Sequence, residues 1–349
     1  QAVSHGADFA IGAIALEGAA RQPDARAAGR EPIPRANRHG TAERIDYTEI
    51  EAKFGAVPAP KKELRFAYVT KTLINEFWQD VAMGIKDETA KYNIKADIQA
   101  AKDESSLIEQ LNLAQTVLSS KPDALLLSPQ SDSNLKPVIE AAAKLNIPTI
   151  IIDDARTDGA STYVGTDQVA IGVKAADFLA KLFPDGGKVA QIEGQVGSPN
   201  ARMRIQGYSD TVKANAKFNF VSSQPGDWDR LKALNATSNI LREHPDLVGI
   251  YANNDGMALG VYEAVKAAGK EAQVAVVGTD GIRQAKKSVS AGEMKSTVAE
   301  FPYDEGVLGV QMALRILGCQ AIPPWVVSPQ AVISMDNVKD FPDPPAYAN

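Results

Sequence analysis

The sequence predicts an α/β protein of two doubly wound parallel-sheet domains joined by a multi-strand hinge. Three observations lead there. From about residue 62, short apolar runs alternate with segments of helical periodicity, the pattern of parallel strands covered on both faces by crossover helices. The series begins afresh near Gly187, so the chain reads as two similar halves. Its 349 residues are enough for two such units.

In the first half, strands are expected at 66–69, 96–100, 124–127 and 149–152, and helices at 77–92, 105–119 and 134–145. The second half has strands at 189–192, 218–222, 248–251 and 274–277, with helices at 200–214, 228–243, 255–268 and 283–290. Between the halves Tyr163-Val164-Gly165-Thr166-Asp167 reads as a crossover. Residues 295–300 cross back, a helix at 303–317 returns to the first half, and the tail at 326–335 crosses a third time. The expected lobes are therefore 62–165 with 301–323, and 166–300 with 324–349. Right-handed crossovers place all strand carboxyl ends of a lobe on one rim. A cleft between the lobes is then lined by two facing rims.

Residues 1–61 read as an N-terminal extension of unknown role. A short helix at 7–20 precedes an irregular stretch with Pro23, Gly29, Pro32, Pro34 and Gly40, and a second helical pattern spans 47–54. Arginines alternate there with acids, so it is no polybasic arm. It does not read as an intact signal peptide: Asp8 and Glu17 interrupt the apolar segment, and no basic residue precedes it. An exported protein would have lost its signal from this sequence.

Composition narrows the function classes. A formal net charge of −6 without long charge blocks argues against nucleic acid as the main partner. No apolar run reaches the roughly 18–20 residues that span a bilayer. The single cysteine, Cys319, rules out an intrachain disulfide and a cysteine-based zinc site. His5, His39 and His244 have no metal-ligand spacing. No metal and no cofactor is expected.

The candidate site lies in the loops that follow the strands, where open parallel sheets bind small ligands. The first is the stretch from Lys71 through Asn75 to Phe77 and Trp78. Rings beside hydrogen-bonding side chains suit a ligand with an apolar C–H face and a rim of hydroxyls, as in a sugar or polyol. Phe77 and Trp78 also fit as the first core residues of their helix. Ser128, Asp153 and Asp154 follow later strands, and Arg204, Trp228, Asn254 and Asp280 recur at strand ends of the second half. Carboxylates only accept and arginine only donates, so together they satisfy both sides of a hydroxyl. Asp227 and Asn254 equally fit helix N-caps, and Asp153-Asp154 a turn. Trp228 could face Phe77 and Trp78 across the cleft.

The runs Lys71-Thr72-Leu73-x-Asn75-x-Phe77-Trp78, Gln224-Pro225-x-Asp227-Trp228-Asp229-Arg230, Asn254-Asp255-x-Met257-Ala258-x-Gly260 and Val276-Val277-Gly278-Thr279-Asp280-Gly281 resemble the ribose- and allose-binding proteins. These are periplasmic solute-binding components of sugar ABC importers, with the type I periplasmic binding protein fold. The resemblance covers about 64–335 and implies ligand contacts from Lys71, Asn75, Phe77, Trp78, Asp153, Arg204, Trp228, Asn254 and Asp280. Lys71 with Trp78 leans towards the allose-binding branch. Glu300 stands where the family places a hinge-side glutamine, Ser128 where ribose binders have asparagine, and Asp154 where they have arginine. These departures point to an acid-rich pocket for a monosaccharide, a polyol or a ligand with an amine, unless Lys71 neutralises the extra charge.

The resemblance also implies a monomer in the periplasm that hands its ligand to the membrane permease of an ABC importer. The competing expectation is a sugar-responsive regulator of the lactose-repressor type, with residues 1–61 as its headpiece. Prolines 23, 32 and 34 and the lack of a basic recognition helix argue against it. An enzyme is not expected, since G-x-S-x-G, a phosphate loop and a dinucleotide fingerprint are all missing.

Overall fold

The computed structural model describes residues 43–347. The helix expected at 7–20 and the irregular stretch after it lie outside the described residues. A short strand, β1 (Arg44–Asp46), leads through a 3-10 turn into α1 (Ile50–Phe54). There follow β2 (Arg65–Thr70), α2 (Glu76–Lys91), β3 (Lys95–Ala100), α3 (Leu107–Ser119) and β4 (Ala124–Leu127). Next come α4 (Lys136–Lys144), β5 (Thr149–Ile152) and β6 (Thr162–Gly165).

The second lobe opens with α5 (Gln168–Leu182), β7 (Gly187–Glu193), α6 (Pro199–Ala214), β8 (Phe218–Pro225) and α7 (Arg230–Glu243). It continues with β9 (Leu247–Ala252), α8 (Asp255–Ala267), β10 (Ala275–Asp280), α9 (Arg283–Ser290) and β11 (Ser296–Ala299). The chain returns in α10 (Pro302–Leu317), which packs on α2 and β5, and in β12 (Trp325–Val327), then ends in β13 (Ala331–Ser334).

Two sheets result. The first runs β1-β12-β6-β5-β4-β2-β3, every pair parallel; the second runs β13-β11-β10-β9-β7-β8, with only the β13 pair antiparallel. Strand order reverses between β2 and β4 in one sheet and between β7 and β9 in the other. Such reversals open a crevice at the carboxyl ends of the strands. The central strands β4, β5 and β10 are buried throughout, as helices on both faces demand. At the edge, β3 carries Lys95, Asp97 and Gln99 and is more exposed, which discourages pairing with another chain.

Several details differ from the sequence expectation. Residues 44–46, within the stretch read as an extension, form the outer strand of the first sheet, in register with Trp325–Val327. Those tail residues were expected in the second lobe; they pair with β6 in the first, and only β13 joins the second sheet. The tail thus does cross a third time. Helix α5 was not anticipated. Its β-branched Val169, Ile171 and Val173 and its mid-helix Gly172 all lower helix propensity. Gly172 is required by packing, because a Cβ there would run into the backbone of Arg204 in α6.

Candidate ligand site between the lobes

The carboxyl-end loops of both sheets meet around one narrow cavity, lined from both lobes and placed where open α/β sheets bind small ligands. Ten of the residues read from sequence line it: Lys71, Asn75, Phe77, Trp78, Asp153, Asp154, Arg204, Trp228, Asn254 and Asp280. Ser128 and Glu300 do not. Ser128 is buried against Tyr68, whose hydroxyl lies 2.8 Å from its Oγ, and that Oγ donates to the Ile152 carbonyl at 2.7 Å. Glu300 has its two carboxylate oxygens engaged by Arg204 and Gln168.

Each side chain is placed by local structure. Asn75 caps α2, its Oδ1 accepting from Phe77 N at 3.0 Å, and so sets Phe77 and Trp78 on the first turn. Their rings meet edge to face with centroids 4.8 Å apart. Both belong to the core of the first lobe and also form a wall of the cavity, so the two alternatives open in the sequence hold together. In the second lobe Ser198 caps α6 and orients Asn200 and Arg204. Asn254 caps α8 through Met257 N at 2.8 Å and lines the cavity as well. Asp227 is not a cap. Asp229 takes that role for α7, and Asp227-Trp228 form a turn in which both residues have positive φ, 51° and 63°.

Positive φ recurs at Asp153 (52°), Asp154 (49°) and Asp280 (123°). Aspartate tolerates the left-handed region through its short polar side chain, whereas an aromatic there is uncommon. Strained residues of this kind cost about 1–3 kcal/mol each and cluster at binding sites.

Charges are paired across and within the lobes. Buried Lys71 forms an ion pair with Asp154 and lies 3.6 Å from Glu104 Oε2. Burial pushes its ammonium below the ordinary range, while Glu104 and Asp153 oppose that. The same Glu104 accepts from Asn75 Nδ2 at 2.9 Å and Trp78 Nε1 at 3.2 Å. Asp154 also accepts from Ser198 Oγ at 2.9 Å, a bond between lobes. Asp153 accepts from Asn200 Nδ2 at 3.0 and 3.1 Å. Burial raises the Asp153 carboxyl above its usual range, with Arg204 opposing.

Arg204 donates to Gln168, to the Asn253 carbonyl at 2.6 Å and to Glu300, and lies 3.5 Å from Asp280. Its guanidinium also sits 5.8 Å from the Trp228 ring centroid, a favourable cation–π geometry. Glu300 is pushed up to about 7, chiefly by burial. Two polar atoms of the lining, Trp228 Nε1 and Asn200 Oδ1, are buried without a hydrogen-bond partner among the described residues. Such groups carry a desolvation cost unless something pairs with them.

Glu104 and Asn200 were missed by the sequence reading. Glu104 lies at the carboxyl end of β3, the one rim loop of the first half that was passed over. Asn200 is hidden behind Pro199 as an ordinary helix-opening residue.

The chain matches a family model described as a periplasmic binding protein domain over residues 66–320. The D-allose-binding periplasmic protein of Escherichia coli (strain K12) is 39% identical over 256 residues, covering 71% of this chain and 82% of that protein. The ribose import binding protein of the same strain is 34% identical over 252 residues, covering 72% and 84%. A solved ABC transporter periplasmic solute-binding protein from Actinobacillus succinogenes 130z with bound D-allose has a TM-score of 0.77 at 30% identity, covering 80% of this chain and 100% of that one. A solute-binding protein from Mycobacterium smegmatis with bound glycerol has a TM-score of 0.76 at 26% identity, covering 82% and 100%. These relatives bind and transport, and this chain is a binding protein rather than an enzyme. By family model, relatives and fold together, the chain belongs to the periplasmic binding proteins.

Proposed function

We propose that the protein captures a monosaccharide or polyol between its lobes and delivers it to the membrane permease of an ABC importer. One observation carries this: Phe77 and Trp78 from one lobe and Trp228 from the other line a single cavity rimmed by Lys71, Arg204 and four carboxylates. The rings offer apolar faces to C–H groups. The carboxylates accept from hydroxyls, and the unpaired Trp228 N–H donates. The relatives with bound D-allose and bound glycerol support a hydroxyl-rich guest.

Periplasmic binding proteins are a known example of hinge closure around a ligand. Here the ligand bridges both rims and favours the closed form by its differential contacts. The periplasm is the expected compartment and a monomer the working unit. Exposed apolar side chains at the rim, Ile74 (80%), Ile108 (77%), Val196 (84%) and Leu231 (64%), supply a surface for the permease. They flank the loops after β2, β3, β7 and β8, so both lobes contribute.

The test is a thermal-shift screen of aldoses, ketoses, polyols and amino sugars, followed by calorimetry. A micromolar ligand corresponds to about −8 kcal/mol. Trp228→Ala is expected to weaken the best ligand at least tenfold with little change in the ligand-free melting temperature. Unaltered affinity would remove Trp228 from the site, and a screen without any hit among these classes would refute the reading.

A further inference from the structure

Two buried side chains outside the cavity hold its walls. Gln168 opens α5 directly after the first crossover, and Glu300 occupies the second, between β11 and α10. Gln168 Nε2 donates to Glu300 Oε2 at 2.6 Å and to Asp153 Oδ1 at 3.1 Å, and its Oε1 accepts from Arg204 Nε at 2.7 Å. The other Glu300 oxygen accepts from Arg204 Nη2. One amide and one carboxylate therefore tie Arg204 of the second lobe to Asp153 of the first.

An amide suits this place for a chemical reason. Arg204 needs an acceptor, the two carboxylates need a donor, and a glutamine supplies both without charge. A carboxylate at 168 would keep the acceptor and lose the donor. It would also add an acid to Asp153, Glu300 and Glu305 of α10, whose carboxylate oxygens already lie within 4.8 Å of one another. The charged groups facing that position are those three acids and Arg204, with Asp280 and Lys71 beyond them.

We propose that Gln168 and Glu300 are positioning residues, which set Arg204 and Asp153 at the separation a bridging ligand requires without touching the ligand themselves. The proposal rests on the reading that Arg204 and Asp153 hold a sugar. It accounts for a glutamate at the hinge: here the side chain faces an arginine and an amide rather than the cavity.

The experiment uses the full chain, its Gln168→Glu and Glu300→Gln variants, and D-allose and D-ribose as probes. Calorimetry is run at pH 8 and pH 5.5, each variant being compared with the unaltered protein at the same pH. Gln168→Glu is expected to lose at least tenfold in affinity at pH 8. It should recover part of that loss at pH 5.5, where the protonated carboxyl restores one of the two donor bonds of the amide. Glu300→Gln should weaken binding at pH 8 and less at pH 5.5, where Glu300 of the unaltered protein is itself largely protonated. An equal loss for Gln168→Glu at both pH values marks a merely structural role and overturns the proposal, as does no loss at all.

If neither sugar binds the unaltered protein, the ligand reading fails for these sugars, and the positioning claim is judged separately. Its readout is the Arg204 Nε–H resonance of the sugar-free protein, assigned by its disappearance in Arg204→Lys. Gln168→Glu should shift that resonance at pH 8, reversing at pH 5.5; an unmoved resonance overturns the claim.

Discussion

Trp228 reaches the cavity only because Gly194 lacks a side chain. A Cβ on Gly194 would be driven into the indole ring, and the turn that presents the ring already holds Trp228 at φ 63°. Gly194→Ala must therefore displace the indole or bend the loop after β7, at a cost of about 1–3 kcal/mol typical of overpacking. Sugar affinity is expected to fall at least tenfold, measured by calorimetry beside the ligand-free melting curve. Binding equal to the unaltered protein would show that the ring's pose does not depend on this glycine. At this scale much of the site was legible, because aromatic, acidic and arginine side chains stood at successive strand ends. Glu104 was not, since Lys102-Asp103-Glu104 reads as a solvated charge run. Its role comes from Lys71, Asn75 and Trp78, which only tertiary structure brings to it.

Helix α2 does two things in its first two turns. Its capped end presents Phe77 and Trp78, and Glu76 and Asp80 meet α9 of the second lobe, where Arg283 N and Gln284 Nε2 donate to Glu76 at 3.1 Å each. Asp80 is buried, and its carboxyl is pushed up to about 7, first by burial and then by Glu76, with Arg283 and Lys286 opposing. A carboxyl raised on folding adds stability below its unfolded pKa and loses it as pH rises through the folded value. Between pH 4 and pH 8 Asp80 thus withdraws on the order of 2–4 kcal/mol. Asp80→Asn should flatten the fall in melting temperature over that range, leaving a remainder from Glu300 and Asp255, both also raised to about 7. An unchanged slope would mean that Asp80 stays ionised in the fold. The helices and strands themselves were largely readable from period and turn residues. The exceptions, β1 and α5, are a three-residue strand with one buried side chain and a helix rich in β-branched residues. Each is decided by what it packs against rather than by its own pattern.

For the whole molecule, closure depends on bonds that span the cleft. Asn200 to Asp153 joins two residues of the cavity wall, and Ser198 to Asp154 joins one of them to the cap of α6; the pairing of Arg283 with Glu76, at 3.2 Å, lies outside the cavity. A bond that exists only in the closed form raises the closed population, and apparent affinity scales with that population. Arg283 is about one-third exposed, so solvent screening limits the pair to about 1 kcal/mol, or roughly fivefold in affinity. Arg283→Ala is therefore expected to weaken sugar binding roughly fivefold while leaving every cavity contact in place. Small-angle scattering of the ligand-free variant should give a larger radius of gyration than the unaltered protein, and saturating sugar should bring the two together. If affinity and radius both match the unaltered protein, the Arg283–Glu76 ion pair contributes nothing to closure. Closure then rests on the other bonds across the cleft, Ser198 to Asp154 and Asn200 to Asp153 among them, and on the ligand's own bridging contacts.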